Sequence, residues 1–263
     1  MHLAVALLVL LVMTTPLRAE ALFIEEMSSP EVRDAVSAGR RTVIIPVGGV
    51  EQNGAHMALG KHDFRVHALA GRIAGELGNA LVAPVVAYVP EGKVSPPSEH
   101  MRYAGTISIP EGAFKAVLAG AARSLAQHGF TDIVLLGDSG NYQQMLKAVA
   151  SDLNREWTGR PVRAHFIAEY YLATQAPFHK LLRERGLSDV QIGTHAGAAD
   201  TSLLMAVDAS RVWPERMPRS DAKAAGVTGD PTRATAELGK SGLELIVRHS
   251  VAAIRSATAA TPR

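Results

Sequence analysis

The 263-residue chain has no cysteine. That excludes a disulfide staple, a thiolate metal site and a thiol nucleophile, so any metal must be held by histidines, carboxylates and amides. It has no run of lysine and arginine either. Net charge is only +2 at a sequence pI near 9.0, and without a basic face nucleic-acid binding has little support. The apolar run Leu3–Met13 falls short of the roughly 20 residues that a membrane-spanning helix needs. No G-x-G-x-x-G follows Gly48-Gly49, so a dinucleotide fingerprint is missing. There is no internal repeat and no domain linker.

What is present describes a globular chain, 47% hydrophobic and 20% charged. Its first stretch, Leu3–Met13, leads into Thr14-Thr15-Pro16 and then Ala19-Glu20-Ala21. An apolar core followed by a small-x-small site is the pattern of a secretory signal peptide, with cleavage expected after Ala21. The expectation is an exported mature chain, periplasmic or secreted, spanning 22–263 and not stably inserted in a membrane.

Strand and helix patterns alternate through that span. Arg41–Val47 is a β-branched run of the kind that lies buried on both faces in a parallel sheet. Asp63–Leu77 has apolar residues at helical spacing, closed by Gly78. Leu81–Val89 reads as a second strand, Asp132–Leu136 as a third and Val162–Ile167 as a fourth. Helices are expected over 31–38, 111–127, 142–157, 169–185 (interrupted near Pro177), 200–207 and 235–258. This order predicts one three-layer α/β domain with a mostly parallel sheet. Ligands then bind outside the carboxyl ends of the strands.

Four clusters carry ligand-type side chains. The densest holds Glu51, Asn53, His56, His62 and Asp63, a set that suits Zn²⁺, Mn²⁺ or Fe²⁺; singly, each is also an ordinary turn or cap residue, and Asp63 in particular can cap the helix behind it. Gly137-Asp138-Ser139-Gly140-Asn141 joins a strand to a helix. It reads as a turn aiming Asp138 into a cleft, as an anion cradle, or as an elbow carrying a Ser139 nucleophile, although Asn141 stands where G-x-S-x-G requires glycine. His195 and Asp200 flank the turn that opens a later helix, where an aspartate is commonly a cap. Ser98-Glu99-His100 sits in the long polar segment 90–110, a length of loop that usually serves function.

Taken in order, the stretches IIPVGGVEQNGAH, LGKHD, SEHMRYAGTISIP, VLLGDSGN, THAGAADTS and GVTGDPTRATAELG resemble the creatininase (creatinine amidohydrolase) family. The resemblance runs from about Thr42 to the last helix. It implies the family's α/β fold, a bound metal and hydrolysis of a small amide or cyclic C–N bond, and also an oligomer. Glu51 matches the family's glutamate after the first strand. Departures are specific. Asn53 replaces a histidine, His62 stands where the family has a metal-bridging aspartate, Asp138 replaces a histidine, and Asp200 replaces a glutamate.

The exchange of one Asp for His and one His for Asp keeps a mixed carboxylate and imidazole set. From the resemblance we expect one divalent ion, zinc first and Mn²⁺ or Fe²⁺ next, on Glu51, His62, Asp138 and Asp200, with the register at His62/Asp63 open by one residue. His195 and His100 are the expected proton-shuttling groups, ahead of Glu99 and His56. The partner is a small-molecule substrate, and a homo-oligomer is implied. Two rival readings are a non-catalytic small-molecule-binding protein of this fold and a metal-free Ser139 hydrolase.

Overall fold

A computed structural model describes residues 21–218 and 225–259. The expected signal segment lies outside the described residues, apart from Ala21. The core is a four-stranded, wholly parallel sheet in the order β2-β1-β3-β4. Its strands are β1 (Thr42–Val47), β2 (Ala80–Val82), β3 (Asp132–Gly137) and β4 (Arg163–Phe166). All residues of β1 and β3, the two central strands, are buried. Helices cover both faces, which is why these strands are continuous apolar runs without alternation.

One face carries α2 (Lys61–Leu77), α5 (Ala168–Thr174), α8 (Ala198–Val207) and the long α9 (Ala236–Ala259); Val66, Leu69, Ile73, Leu203, Ile246 and Val247 fill that layer. The other carries α1 (Ser29–Ser37), α3 (Glu111–Gln127) and α4 (Gln143–Glu156), packed through Phe114, Leu118, Leu146 and Leu153. The expected three-layer α/β domain is what is observed. Among the described residues no helix is long and apolar enough to cross a membrane.

The second strand is shorter than the apolar run Leu81–Val89. The regular ladder stops at Val82 because Pro84 has no N–H to contribute, although Ala83 and Val86 still donate to the carbonyls of Ile44 and Pro46. The helix expected over 169–185 is two helices, α5 and α6 (Ala176–Glu184), which meet at Gln175 ahead of Pro177. A short α7 (Asp189–Ile192), capped by Ser188, follows. Asp200 is not the N-cap of α8, which is Gly197; it is in the first turn.

Candidate active site

The chain leaves β1 through Gly48 and Gly49. A Cβ on Gly48 would stand 2.0 Å from Asp63 Oδ1, and Gly49 holds φ +142°, so the sequence needs glycine at both. Asp63 Oδ1 accepts from Gly49 N at 2.8 Å. This fixes the open register: Asp63 pins the turn behind the site, and His62 faces inward. Two further residues of the dense cluster brace the loop. Asn53 Nδ2 donates to the carbonyls of Glu51, Ala58 and Leu59. His56 is buried, with Nε2 3.2 Å from both Ala196 O and Thr201 Oγ1, tying the loop to the start of α8.

Behind the loop lies a buried lattice of charge. His62 places Nε2 2.9 Å from Glu51 Oε1 and Nδ1 2.6 Å from Asp138 Oδ2. Although Arg65 Nη2 also stands 3.2 Å from Nδ1, two carboxylates facing the two ring nitrogens favour the imidazolium. Burial and the Lys61 charge oppose this, but Glu51 and Asp138 raise its pKa to about 9. Asp138 also accepts from Arg65 Nε, at 3.0 and 2.7 Å to its two oxygens, and from Tyr170 Oη at 2.7 Å. Arg65 Nη1 reaches Asp200 Oδ1 at 3.0 Å. Lys61 Nζ lies 3.0 Å from Asp200 Oδ2 and 3.2 Å from Glu51 Oε1. Ala196 N completes Asp200 at 3.0 Å. Burial alone would raise all three carboxyls; the neighbouring cations hold Asp138 low, and Glu51 and Asp200 well below the usual range.

In front of the lattice two histidines close on Glu51. His100 Nε2 is 3.4 Å from Glu51 Oε2, and His195 Nδ1 is 3.7 Å from Glu51 Oε1. The rings are tilted against each other with centroids 4.7 Å apart. His195 Nε2 lies 2.9 Å from the Gln52 carbonyl, to which it donates, so its Nδ1 lone pair points at a carboxylate. Burial, then the Lys61 charge, push its pKa down to about 4, leaving it neutral. Gln52 Nε2 stands 3.1 Å from His195 Nε2 and 3.4 Å from His100 Nδ1, and so touches both rings.

This outer trio fits a divalent cation. One donor atom from each of Glu51, His100 and His195 lies within 4.8 Å of the others. With metal–donor bonds near 2.0–2.2 Å, donors around one tetrahedral ion stand roughly 3.3 Å apart; here His100 is 3.4 Å from Glu51 Oε2 and His195 3.7 Å from Oε1. Two imidazoles and a carboxylate are a familiar hydrolytic ligand set. The trio opens into a cavity of about 440 Å³, whose wall also includes Glu99, Tyr103, Asn141 and Tyr171.

The structure thus regroups the expected residues. Glu51, His62, Asp138 and Asp200 do share one pocket, where His62 bridges Glu51 and Asp138, and Asp138 and Asp200 are bonded to Arg65, Lys61, Tyr170 and Ala196 N. His195 and His100, expected as proton carriers, are at ligand distance from Glu51. Ser139 Oγ accepts from Asn141 N at 3.4 Å, and among the described residues no imidazole is bonded to it, which leaves the serine-nucleophile reading without a base. Sequence reading missed Lys61, Arg65, Tyr170, Gln52 and Glu91. Lys61 and Arg65 had a signal: they are four apart, flanking His62, on a helix whose next residue, Val66, is core. Glu91 had none. It is fully buried, and burial followed by the Glu51 charge pushes its carboxyl up to about 8.

Comparison with known proteins follows the same line. The sequence model of creatininase, described as creatinine amidohydrolase, matches residues 25–254. A creatinine amidohydrolase of Pseudomonas putida is 27% identical over 261 residues, covering 90% of this chain and 97% of its own. A mycofactocin precursor peptide peptidase of Mycolicibacterium smegmatis is 28% identical over 221 residues, 75% of this chain and 78% of that one. Two creatininase structures share the fold, a Mn form at TM-score 0.75 and 23% identity, and a mutant of Zn–Zn type at 0.73 and 22%. They align with 92% and 93% of this chain and with all of theirs.

Proposed function

The chain belongs to the creatininase family, and from that premise we propose that it is a metal-dependent hydrolase of a small amide or cyclic C–N bond, with the ion held by Glu51, His100 and His195. The observation that carries this is the convergence of the three donors on the cavity floor, with the His195 lone pair facing the Glu51 carboxylate. A divalent ion there supplies a bound water with a pKa lowered toward about 7 and polarises a carbonyl.

The protein's part is positioning. Lys61 and His62 hold Glu51 from behind, and the Gln52 main-chain carbonyl orients His195 by accepting from its Nε2. With His195 and His100 engaged as ligands, the proton to the departing nitrogen is assigned to Glu99, the carboxyl of the cavity wall that is not engaged with Lys61, His62 or Arg65. A cavity of about 440 Å³ suits a small molecule. The donor set accepts zinc, Mn²⁺ or Fe²⁺.

The test is metal analysis of the purified protein with a turnover screen over small cyclic amides, lactones and short peptides. His100→Ala and His195→Ala should each lose the ion and turnover together. Glu99→Gln should keep the ion and lower turnover by roughly the 10²–10⁴-fold that a positioned proton carrier supplies. Full activity in excess chelator would end the metal reading. Export with removal of residues 1–21 and a homo-oligomeric state remain part of the proposal. They are checked by cell fractionation with N-terminal sequencing and by light scattering.

A further inference from the structure

The inner half of the pocket holds three buried carboxylates, Glu51, Asp138 and Asp200, against three cations, Lys61, His62 and Arg65. Each of these carboxylates is already met by at least two basic side chains, and a further buried acid, Glu91, accepts from Asn141 Nδ2 at 2.8 Å.

Lone pairs tell the same story. Each oxygen of Asp138 takes at least two donors, and both oxygens of Asp200 are bonded to cations. Both nitrogens of His62 face carboxylates. Asn53 spends its amide on the loop backbone. Glu51 Oε1 takes Lys61 and His62 and lies 3.7 Å from His195 Nδ1, while Oε2 lies 3.4 Å from His100 Nε2.

We propose that Lys61 is a built-in cation: its ammonium, bridging Glu51 and Asp200 and 1% exposed, takes the place of an inner metal ion, so that this chain holds a single divalent ion at Glu51, His100 and His195, unlike a Zn–Zn form. Lys61 is thereby a positioning residue, which engages Glu51 Oε1 and leaves Oε2 turned to His100. This rests on the reading of the outer trio as a metal site, and the experiment separates the two.

The protein, stripped with chelator, is loaded with Zn²⁺ or with Mn²⁺, and ions per folded chain are counted by native mass spectrometry and by metal analysis after dialysis. The expected results are one ion in the wild type, one in Lys61→Arg, and two in Lys61→Ala, in which Glu51 Oε1 and Asp200 Oδ2 lose their ammonium. The second ion should also raise the melting temperature of Lys61→Ala more than one ion raises that of the wild type. Two ions in the wild type, or one in a folded Lys61→Ala, would overturn the proposal. No ion in the wild type with one gained in Lys61→Ala would refute the outer trio and uphold the role of Lys61. If Lys61→Ala does not fold, the count in the wild type and in Lys61→Arg decides alone: one each sustains the proposal, and two in either sinks it.

Discussion

Arg65→Met is the sharpest test of the buried lattice. The guanidinium is 2% exposed and serves Asp138 through Nε and Asp200 through Nη1. Its removal turns a neutral cluster into one with an unmatched negative charge. Removing one partner of a buried pair costs about 3–5 kcal/mol, because the other is left uncompensated. Here Asp138 keeps His62 and Tyr170, and Asp200 keeps Lys61 and Ala196 N. The lower end, about 3 kcal/mol, is therefore expected. For a domain of this size that is a drop in melting temperature of roughly 6–12 °C. Asp138→Asn alone should cost a similar amount, since it strands a positive charge. The double variant restores neutrality, so its loss should fall short of the sum of the singles by roughly 2–3 kcal/mol. The assay is urea unfolding of all four proteins in chelator, followed by far-UV circular dichroism and tryptophan fluorescence. Singles that sum to the double within about 0.5 kcal/mol would show that the two side chains do not interact, and the lattice would be wrong.

Other outcomes follow from the same contacts. His62 carries a pKa raised to about 9, so its contribution is fully present below pH 6.5 and is lost as pH rises through 9; at 1.36 kcal/mol per unit it is worth roughly 3 kcal/mol. The wild-type advantage over His62→Gln should shrink by about that much between pH 6.5 and 10 in chelator-treated protein, and a constant advantage would refute the doubly bonded imidazolium. Glu51, Asp138 and Asp200 have the opposite sign: their lowered pKa values give stability present above the ordinary carboxylate range and lost as pH falls through the folded values. Urea midpoints should therefore drop steeply below about pH 4. Tyr170→Phe removes only the hydroxyl that donates to Asp138 Oδ1 at 2.7 Å. Loss of a hydrogen bond to a charged group predicts about 1.5–3 kcal/mol by the same unfolding assay, and no loss would place that hydroxyl elsewhere. Gly48→Ala drives a methyl to 2.0 Å from Asp63 Oδ1; the turn must open, with a loss of about 1–3 kcal/mol by denaturant titration, whereas a neutral effect would mean that Asp63 does not pin it.

The sheet and its layers were legible because β1 and β3 are apolar on both faces, and only a covered parallel sheet asks for that. The end of β2 was not, because the apolar run continues past Pro84 and hydrophobicity does not register a missing N–H. The location of the site was legible as well, from polar residues gathered behind β1 and β3. The partition of roles inside it was not. Glu51, His62, Asp138 and Asp200 are all ligand types, and a one-dimensional reading cannot tell a free carboxylate from one already answered by an arginine. Lys61 and Arg65 decide that, and both look like ordinary surface bases at a helix start until Val66 and Leu69 are seen in the core of the same helix. Asn53 shows the converse. As a residue in a ligand position it reads as a loss, yet its amide closes three backbone carbonyls of the loop that carries Glu51.

The two exchanges at His62 and Asp138 are best understood as one. In the family pattern these positions hold an aspartate and a histidine; here the types are swapped, and the two side chains meet at 2.6 Å. A swap between touching residues preserves their hydrogen bond and their joint charge, whereas either change alone would bury two like charges or two imidazoles against each other. Formal charge is therefore the wrong quantity to compare across the exchange, because it is unchanged. What changes is which groups answer the carboxylates. With His62, Lys61 and Arg65 on the same helical turn, α2 itself supplies three cations to three carboxylates. The helix start does inside the pocket what a divalent ion would otherwise do. It leaves only the outer rim, where His195 presents an unshared lone pair to Glu51, with a reason to hold metal.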